Sequence, residues 1–290
     1  MRVPLKTILS ALALLVLCSC RPPDVYSLLD MAGRHVKSIS EASQEFTPEQ
    51  EYYLGRAVAA GIISRYSALE NQAANNYLNQ LGQALAMRAN AHALKGFHFL
   101  VLDTPEVNAF ATPGGFIFVT TGMLSLVAGE SELAAVLAHE IAHVQNRDAV
   151  SAIQNSRMTE ALTLLAKDAG SRYAPSVPGS QYLNLFSGAV DDVISTLVTK
   201  GYSRGQEYAA DTAAKRILIA AGYDPRALES VLQAMSTRVT SGSAGFGSTH
   251  PSAEDRLKKL DAAKTPIEPD SGVRAKRFQA AMGKYSRAAR

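Results

Sequence analysis

A chain of 290 residues that is 47% hydrophobic carries enough apolar material to bury a core of its own, in one large domain or two small ones. Lysine and arginine (29) exceed aspartate and glutamate (26) by only three, and no dense basic run with interleaved aromatics occurs, so no nucleic-acid surface is expected. Both cysteines, Cys18 and Cys20, lie near the amino terminus, so the fold must rely on packing rather than disulfides.

Arg2 and Lys6 precede an apolar run from Ile8 to Leu17, which reads as an export signal. Its ten residues fall short of the roughly 20 that a membrane-crossing helix needs. Leu17-Cys18-Ser19-Cys20 resembles a bacterial lipobox, so residues 1–19 are expected to be a lipoprotein signal peptide and Cys20 the lipidated residue. The alternative is an ordinary signal peptide. Arg21 resembles the sorting signal of outer-membrane lipoproteins, and residues 20–46, stiffened by Pro22-Pro23, read as a tether.

Thr47-Pro48-Glu49-Gln50 combines an N-cap, a proline at the first helical position and a carboxylate in the first turn, which together start a helix. Apolar spacing predicts helices to about Tyr66 (Leu54, Val58, Ile62) and from about Asn71 to Arg88 (Tyr77, Leu81, Leu85), with these residues in the core. Strands follow at 97–102, 107–111 and 116–120, the last two joined as a hairpin across Pro113-Gly114-Gly115. Patches rich in Ser, Gly and Pro at 174–180 and 241–248 predict loops, and the stretch 174–200 is open to being a lid.

From Ser131 to Asp148 the apolar residues Leu133, Val136, Leu137, Ile141 and Val144 recur at helical spacing around His139-Glu140-Ile141-Ala142-His143. A spacing of i and i+4 puts both imidazoles on one face, where they can converge on a single zinc ion. Glu140 beside them is left free to take a proton from the attacking water. A proteolytic zinc needs a third protein ligand and one open position. Glu207 is assigned as that ligand, since Ala210 and Ala214 let its helix come close. Asp211, one turn on, is assigned to fix an imidazole tautomer by accepting a ring N–H from His139 or His143.

These motifs together resemble the gluzincin peptidases that include the CAAX-prenyl endopeptidase, the bacterial heat-shock protease HtpX and the mitochondrial inner-membrane Oma protease. The resemblance runs from about Gln50 to Leu260. It rests on Asn108-Ala109-Phe110-Ala111 with Pro113-Gly114-Gly115 and Gly122, on His139 to His143, on Glu207 with Ala210-Asp211, and on His250-Pro251 with Arg256. It implies an α+β fold: a mostly helical zincin-like metallopeptidase domain with a small sheet whose edge strand flanks the active-site helix. The domain is placed at 47–265, followed by a C-terminal tail at 266–290. The strand Asn108, Ala109, Phe110, Ala111 would be the edge on which an extended substrate pairs. The membrane helices of HtpX and the CAAX enzyme have no counterpart here, and the roughly thirty residues after Leu260 are too few for a tetratricopeptide tail. The layout is most similar to periplasmic lipoprotein members.

His250 precedes Pro251 after a glycine-rich loop, and two functional roles compete for it: donor to the oxyanion, counted as catalytic with Glu140, or inhibitory fourth ligand. A capping histidine before the helix near Pro251 is the plain alternative. Arg256 is expected either to orient substrate or to pair with Glu254 or Asp255. His35, His92 and His98 lack spaced partners and read as structural or solvated. The expected activity is zinc-dependent endoproteolysis of unfolded or misassembled envelope polypeptides, for quality control, by one zinc per chain. The location is the periplasm, with lipid anchoring through Cys20 at the outer membrane. The rival is an envelope chaperone or assembly factor with a latent or non-proteolytic zinc site.

Overall fold

The computed structural model describes residues 48–154, 188, 190–191, 193–238, 250–260 and 269–287. They belong to one compact unit, Phe46–Met158 with Leu185–Arg290. The signal peptide, Cys20, His35, the tether, Thr47, residues 174–187 of the possible lid and the loop at 241–248 lie outside the described residues.

Helix α1 (Pro48–Arg65) turns Leu54, Val58 and Ile62 inward, and α2 (Gln72–Arg88) buries Tyr77, Leu81 and Leu85. The α2 start is fixed by Asn71, whose side-chain oxygen accepts a hydrogen bond from the Ala74 N–H at 3.2 Å. That satisfies one of the amide donors every helix start leaves over.

The sheet has three strands in the order β1 (His98–Leu102), β3 (Phe116–Thr120), β2 (Ala109–Ala111). β2 and β3 form the expected antiparallel hairpin through Pro113–Gly115, and β1 pairs with β3 in parallel. The hairpin turn needs a left-handed residue, which Gly114 supplies at φ 74°. α1 packs on that turn, and a side chain at Gly55 would collide with the Pro113 carbonyl. β2 is shorter than the 107–111 run because the Asn108 N–H donates to Thr120 Oγ1 at 3.0 Å, ending the regular ladder there.

Alternation divides the sheet into two faces. Phe99, Val101, Ala109, Ala111, Ile117 and Val119 join the main core with α2 and the His-bearing helix α4 (Glu130–Gln145), after the single turn α3 (Thr121–Leu124). Leu102, Phe110 and Phe118 pack with α1 in a second cluster. Around α4 lie β2, α2, α6 (Arg204–Ala220) and α7 (Ala227–Arg238). Ala134, Ala135, Ala138 and Ala142 on α4, with Ala210 and Ala214 on α6, are fully buried. Their small side chains let the helix backbones approach closely. Among the described residues no helix is long and apolar enough to cross a membrane.

Two boundaries differ from the sequence reading. The helix expected to reach Asp148 stops at Gln145: Arg147 takes the left-handed conformation (φ 56°), turning the chain so that Asp148 opens a new helix, α5 (Asp148–Gln154). The segment read as a tail at 266–290 instead contributes α9 (Gly272–Met282), after α8 (Ala253–Lys259), and buries Phe278 and Met282 in the main core. The physical reason lies at the start of α4. Its N-cap, Gly129, has no side chain to cap with, and its first turn carries the buried carboxylates of Glu130 and Glu132. Asp270 accepts hydrogen bonds from the Ser131 N–H at 2.8 Å and hydroxyl at 2.5 Å, Arg277 pairs with Glu130, and Arg287 donates to Glu132 at 2.9 Å.

Glu130 also accepts hydrogen bonds from the hydroxyls of Tyr77 (2.8 Å) and Tyr223 (2.7 Å). Burial alone would push its carboxyl up, but Arg277 and the two phenols hold it below the usual value. A lowered carboxylate stabilises the fold above its unfolded pKa, about 4.3, and that contribution fades as pH falls through the folded value. Glu130→Gln should therefore lower stability at pH 7 by about 2 kcal/mol. In urea unfolding the gap to wild type should narrow below about pH 4.

Candidate metal centre

α4 and α6 each present one face of the candidate site. His139 and His143 sit one turn apart on α4, Glu207 lies in the first turns of α6, and His250 enters from the segment just before α8. One ligand atom from each of these four residues lies within 4.8 Å of the others, and all four side chains are buried. The structure thus brings His139, His143, Glu207 and His250 together. Glu140, fully buried, follows His139, and neither of its carboxylate oxygens accepts a hydrogen bond.

The imidazole orientations are fixed from outside the cluster. His143 Nδ1 lies 2.7 Å from Asp148 Oδ2, and the other oxygen of Asp148 accepts from Gln206 Nε2 at 3.1 Å. Gln206 belongs to the capping box that Ser203 forms at the start of α6, so the end of α4 and the start of α6 are tied through one carboxylate. His139 Nδ1 lies 3.1 Å from Asp211 Oδ1. Asp211 is itself gripped by Arg256, whose Nε and Nη2 donate at 2.9 and 2.5 Å. Arg256 therefore does not pair with Glu254 or Asp255 as its neighbours suggested, and its side chain is 1% exposed.

With both Nδ1 positions used as donors to carboxylates, each Nε2 is left as a lone pair. The two Nε2 atoms face each other at 3.1 Å, and the Glu207 oxygens stand 3.5 and 3.6 Å from them. His250 Nδ1 is 2.7 Å from Glu207 Oε1, yet neither Glu207 oxygen meets a well-aligned hydrogen bond. Electron-rich atoms pointed at one another in a dry interior repel unless a cation sits among them. The residues present fit a metal ion.

Burial and the Arg256 charge both act to lower the His139 pKa, but hydrogen bonds to Asp211 and Glu207 outweigh them and hold it at about 9, so with no ion bound this ring carries a second proton, which a metal ion would displace to expose the Nε2 lone pair. Burial would raise the Glu207 carboxyl, but His250, His139 and Arg256 hold it well below its usual range. Burial dominates at His250 and keeps that imidazole neutral, in the form that can donate a lone pair.

The strand Asn108 to Ala111 lies where α4 packs on β2, with all four residues buried. Hydrogen bonds from Thr112 N to Phe116 O and from Thr120 N to Asn108 O mark the even-numbered residues as those that face β3. By antiparallel alternation the backbone groups of Ala109 and Ala111 point the other way, along an edge that no described strand pairs with. His92 and His98 are exposed and far in role from the cluster, His98 stacking on Phe116 at 5.1 Å.

Sequence reasoning missed three residues. Asp148 and Gln206 hold His143, and their signal was weak: a carboxylate five residues past the second histidine, and the glutamine of a capping box. Tyr202, whose ring lies 4.4 Å from that of His143 at a tilt of 30°, had no motif at all.

A His-Glu-x-x-His helix closed by a glutamate from a second helix, over a small mixed sheet, is the architecture of a metallopeptidase, a hydrolase class. The chain belongs to peptidase family M48, which residues 72–264 match. The "Beta-barrel assembly-enhancing protease" of Yersinia pestis is 27% identical over 223 residues, 75% of this chain and 44% of that protein. The mitochondrial metalloendopeptidase OMA1 of Schizosaccharomyces pombe is 33% identical over 165 residues, 56% of this chain and 44% of its own. The protease HtpX homolog of Ralstonia pickettii is 27% identical over 231 residues, 69% and 78% respectively. The chain thus spans under half the length of the first two relatives.

If Asp148 and Asp211 set the imidazoles, Asp148→Asn and Asp211→Asn should each weaken metal binding about 10- to 100-fold. Competition against a fluorescent chelator reads this directly, with no need for a substrate.

Proposed function

We propose that this chain is a zinc-dependent endopeptidase of the bacterial envelope that cleaves unfolded or misassembled polypeptides. The observation that carries the reading is the position of Glu140: a buried carboxylate with two unsatisfied oxygens, next to a set of imidazole and carboxylate lone pairs that suits zinc. His139, His143 and Glu207 would hold the ion, which when bound supplies Lewis acidity and brings the pKa of nearby water toward about 7. Glu140 takes a proton from the attacking water as its oxygen bonds to the scissile carbonyl carbon. The same carboxyl then gives that proton to the departing amine as the C–N bond breaks. A structural metal site would need no such base, which weighs against a purely chaperone role.

The β2 edge, with which no described strand pairs, supports an extended peptide as substrate. Pairing with the backbone of Ala109 and Ala111 reads no side chain, so any unfolded segment qualifies. The envelope setting rests on the export-signal pattern, with Cys20 as lipid anchor at the outer membrane. It also draws on the relative named for β-barrel assembly.

The placement of His250 favours a second element of the reading, latency. Its Nδ1 stands with the two other imidazoles around Glu207, and four protein ligands would leave no position open for substrate. In this reading His250 must leave before cleavage.

Glu140→Gln should retain zinc by metal analysis and lose casein hydrolysis by at least about 10²-fold. Full activity in that variant would refute the mechanism. His250→Ala should raise casein hydrolysis several-fold if the histidine blocks the metal, whereas a loss would assign it to the oxyanion.

A further inference from the structure

Tyr202 stands at the wall of the site without a role in it. Its ring lies against His143, 4.4 Å between centroids and tilted by 30°, so the phenol is carried along one side of the imidazole pair. The hydroxyl is fully enclosed and has no hydrogen-bond partner among the described residues. A buried hydroxyl left this way costs about 1 to 3 kcal/mol, and proteins rarely tolerate it without cause. Glu140, Asp148 and Glu207 are all near enough to act on it electrostatically. Asp148 is bonded to His143 and Gln206 and Glu207 faces the imidazoles as a ligand, while Glu140 is no part of that ligand set and neither of its oxygens has a hydrogen-bond partner among the described residues.

The backbone holds Tyr202 there at a conformational cost. Gly201 just before it has φ 72° and ψ −170°, a region that essentially only glycine enters. Ser203 just after it is the N-cap of α6, with the capping box formed on both sides. The tyrosine is thus pinned between a glycine-only turn and the fixed start of the helix that carries Glu207.

An orphan donor against His143 and an orphan acceptor next to His139 are together complementary to one occupant: a peptide bond under attack. On the reading of the site given above, we infer that the Tyr202 hydroxyl donates a hydrogen bond to the scissile carbonyl oxygen as that oxygen gains negative charge. Tyr202 keeps its proton throughout. The water proton goes to Glu140 and then to the amine, the new C–O bond replaces the C–N bond, and the phenol only stabilises charge. A donor of this kind serves the transition state more than the ground state, so its loss lowers kcat and leaves KM nearly unchanged.

Tyr202→Phe keeps the ring on His143 and removes only the hydroxyl. Metal content and unfolding temperature should match wild type, kcat on a quenched-fluorescence peptide should fall about 10²-fold, and KM should stay within about threefold. Calorimetry on the metal-loaded proteins gives a reading apart from turnover. A peptide phosphonamidate, tetrahedral and anionic where the carbonyl would be, should bind Y202F weaker by the same factor as kcat falls, and a product peptide should bind both proteins equally. Equal phosphonamidate affinity and kcat would overturn the inference, and so would loss of metal from Y202F, since the hydroxyl would then be serving the site rather than the substrate. If neither wild type nor His250→Ala cleaves any peptide, the peptidase reading fails instead, which keeps the two failures distinct.

Discussion

The structure is organised around a repulsion. Two imidazole lone pairs and an ionised carboxylate are held facing one another within 3.1 to 3.6 Å, in an interior that excludes water. With the imidazoles in the neutral form that binds a metal, the arrangement is unfavourable without a cation, so the surrounding protein must hold it open. The restraint comes from pairs outside it: Asp148 with Gln206 on His143, and Asp211 with Arg256 on His139. Each pair links α4 to the elements that follow it in sequence. The alanine-lined contact of α4 with α6 then sets the distance across which the carboxylate must reach.

The same need for external restraint explains the carboxyl end of the chain. A helix that must carry two ligands in register cannot fray, yet α4 begins at a glycine with no capping side chain. Asp270 caps it from 139 residues away, and Arg277 and Arg287 neutralise the two glutamates of its first turn. Phe278 and Met282 keep that segment in place by burial in the main core. The helix start is thus assembled from the far end of the sequence.

This division marks what could be read beforehand. The periodicity of Leu54, Val58, Ile62, Tyr77, Leu81 and Leu85 placed two helices, because burial on one face leaves a period of 3.6 in the residue types. The proline and glycines at 113–115 placed the hairpin, because few residues can make that turn. His139, His143 and Glu207 stood out because their spacing is set by helix geometry. Arg256 and the Asp270 to Arg287 segment were not legible, since each acts across a large sequence separation and looks locally like an ordinary solvated charge, and Asp148, only five residues past His143, was hidden because the chain turns at Arg147 to bring it back. Arg256 shows the reason: Glu254 and Asp255 are near in sequence, whereas Asp211, which it grips, is near in space. The break at Arg147 also left no pattern, because a single left-handed residue changes no hydrophobic spacing.

Charge balance ties these pieces to the chemistry. Glu140, Asp148, Glu207 and Asp211 are four carboxylates within one buried region, and Arg256 is the one fully buried permanent cation among the described residues around them. Buried charges are tolerated when they are paired, and an Arg buried with Asp211 holds its charge at any pH the fold survives. A divalent ion adds two further positive charges at the point where the lone pairs meet. Two plus one against four leaves the region one negative charge in excess. Asp148 accepts from Gln206 and faces His143, Asp211 is gripped by Arg256, and Glu207 faces the imidazoles that would share its ion, so three of the four carboxylates are committed to building the site. Glu140 takes no part in that scaffold, and this is why the proposed mechanism gives it the proton-carrying role.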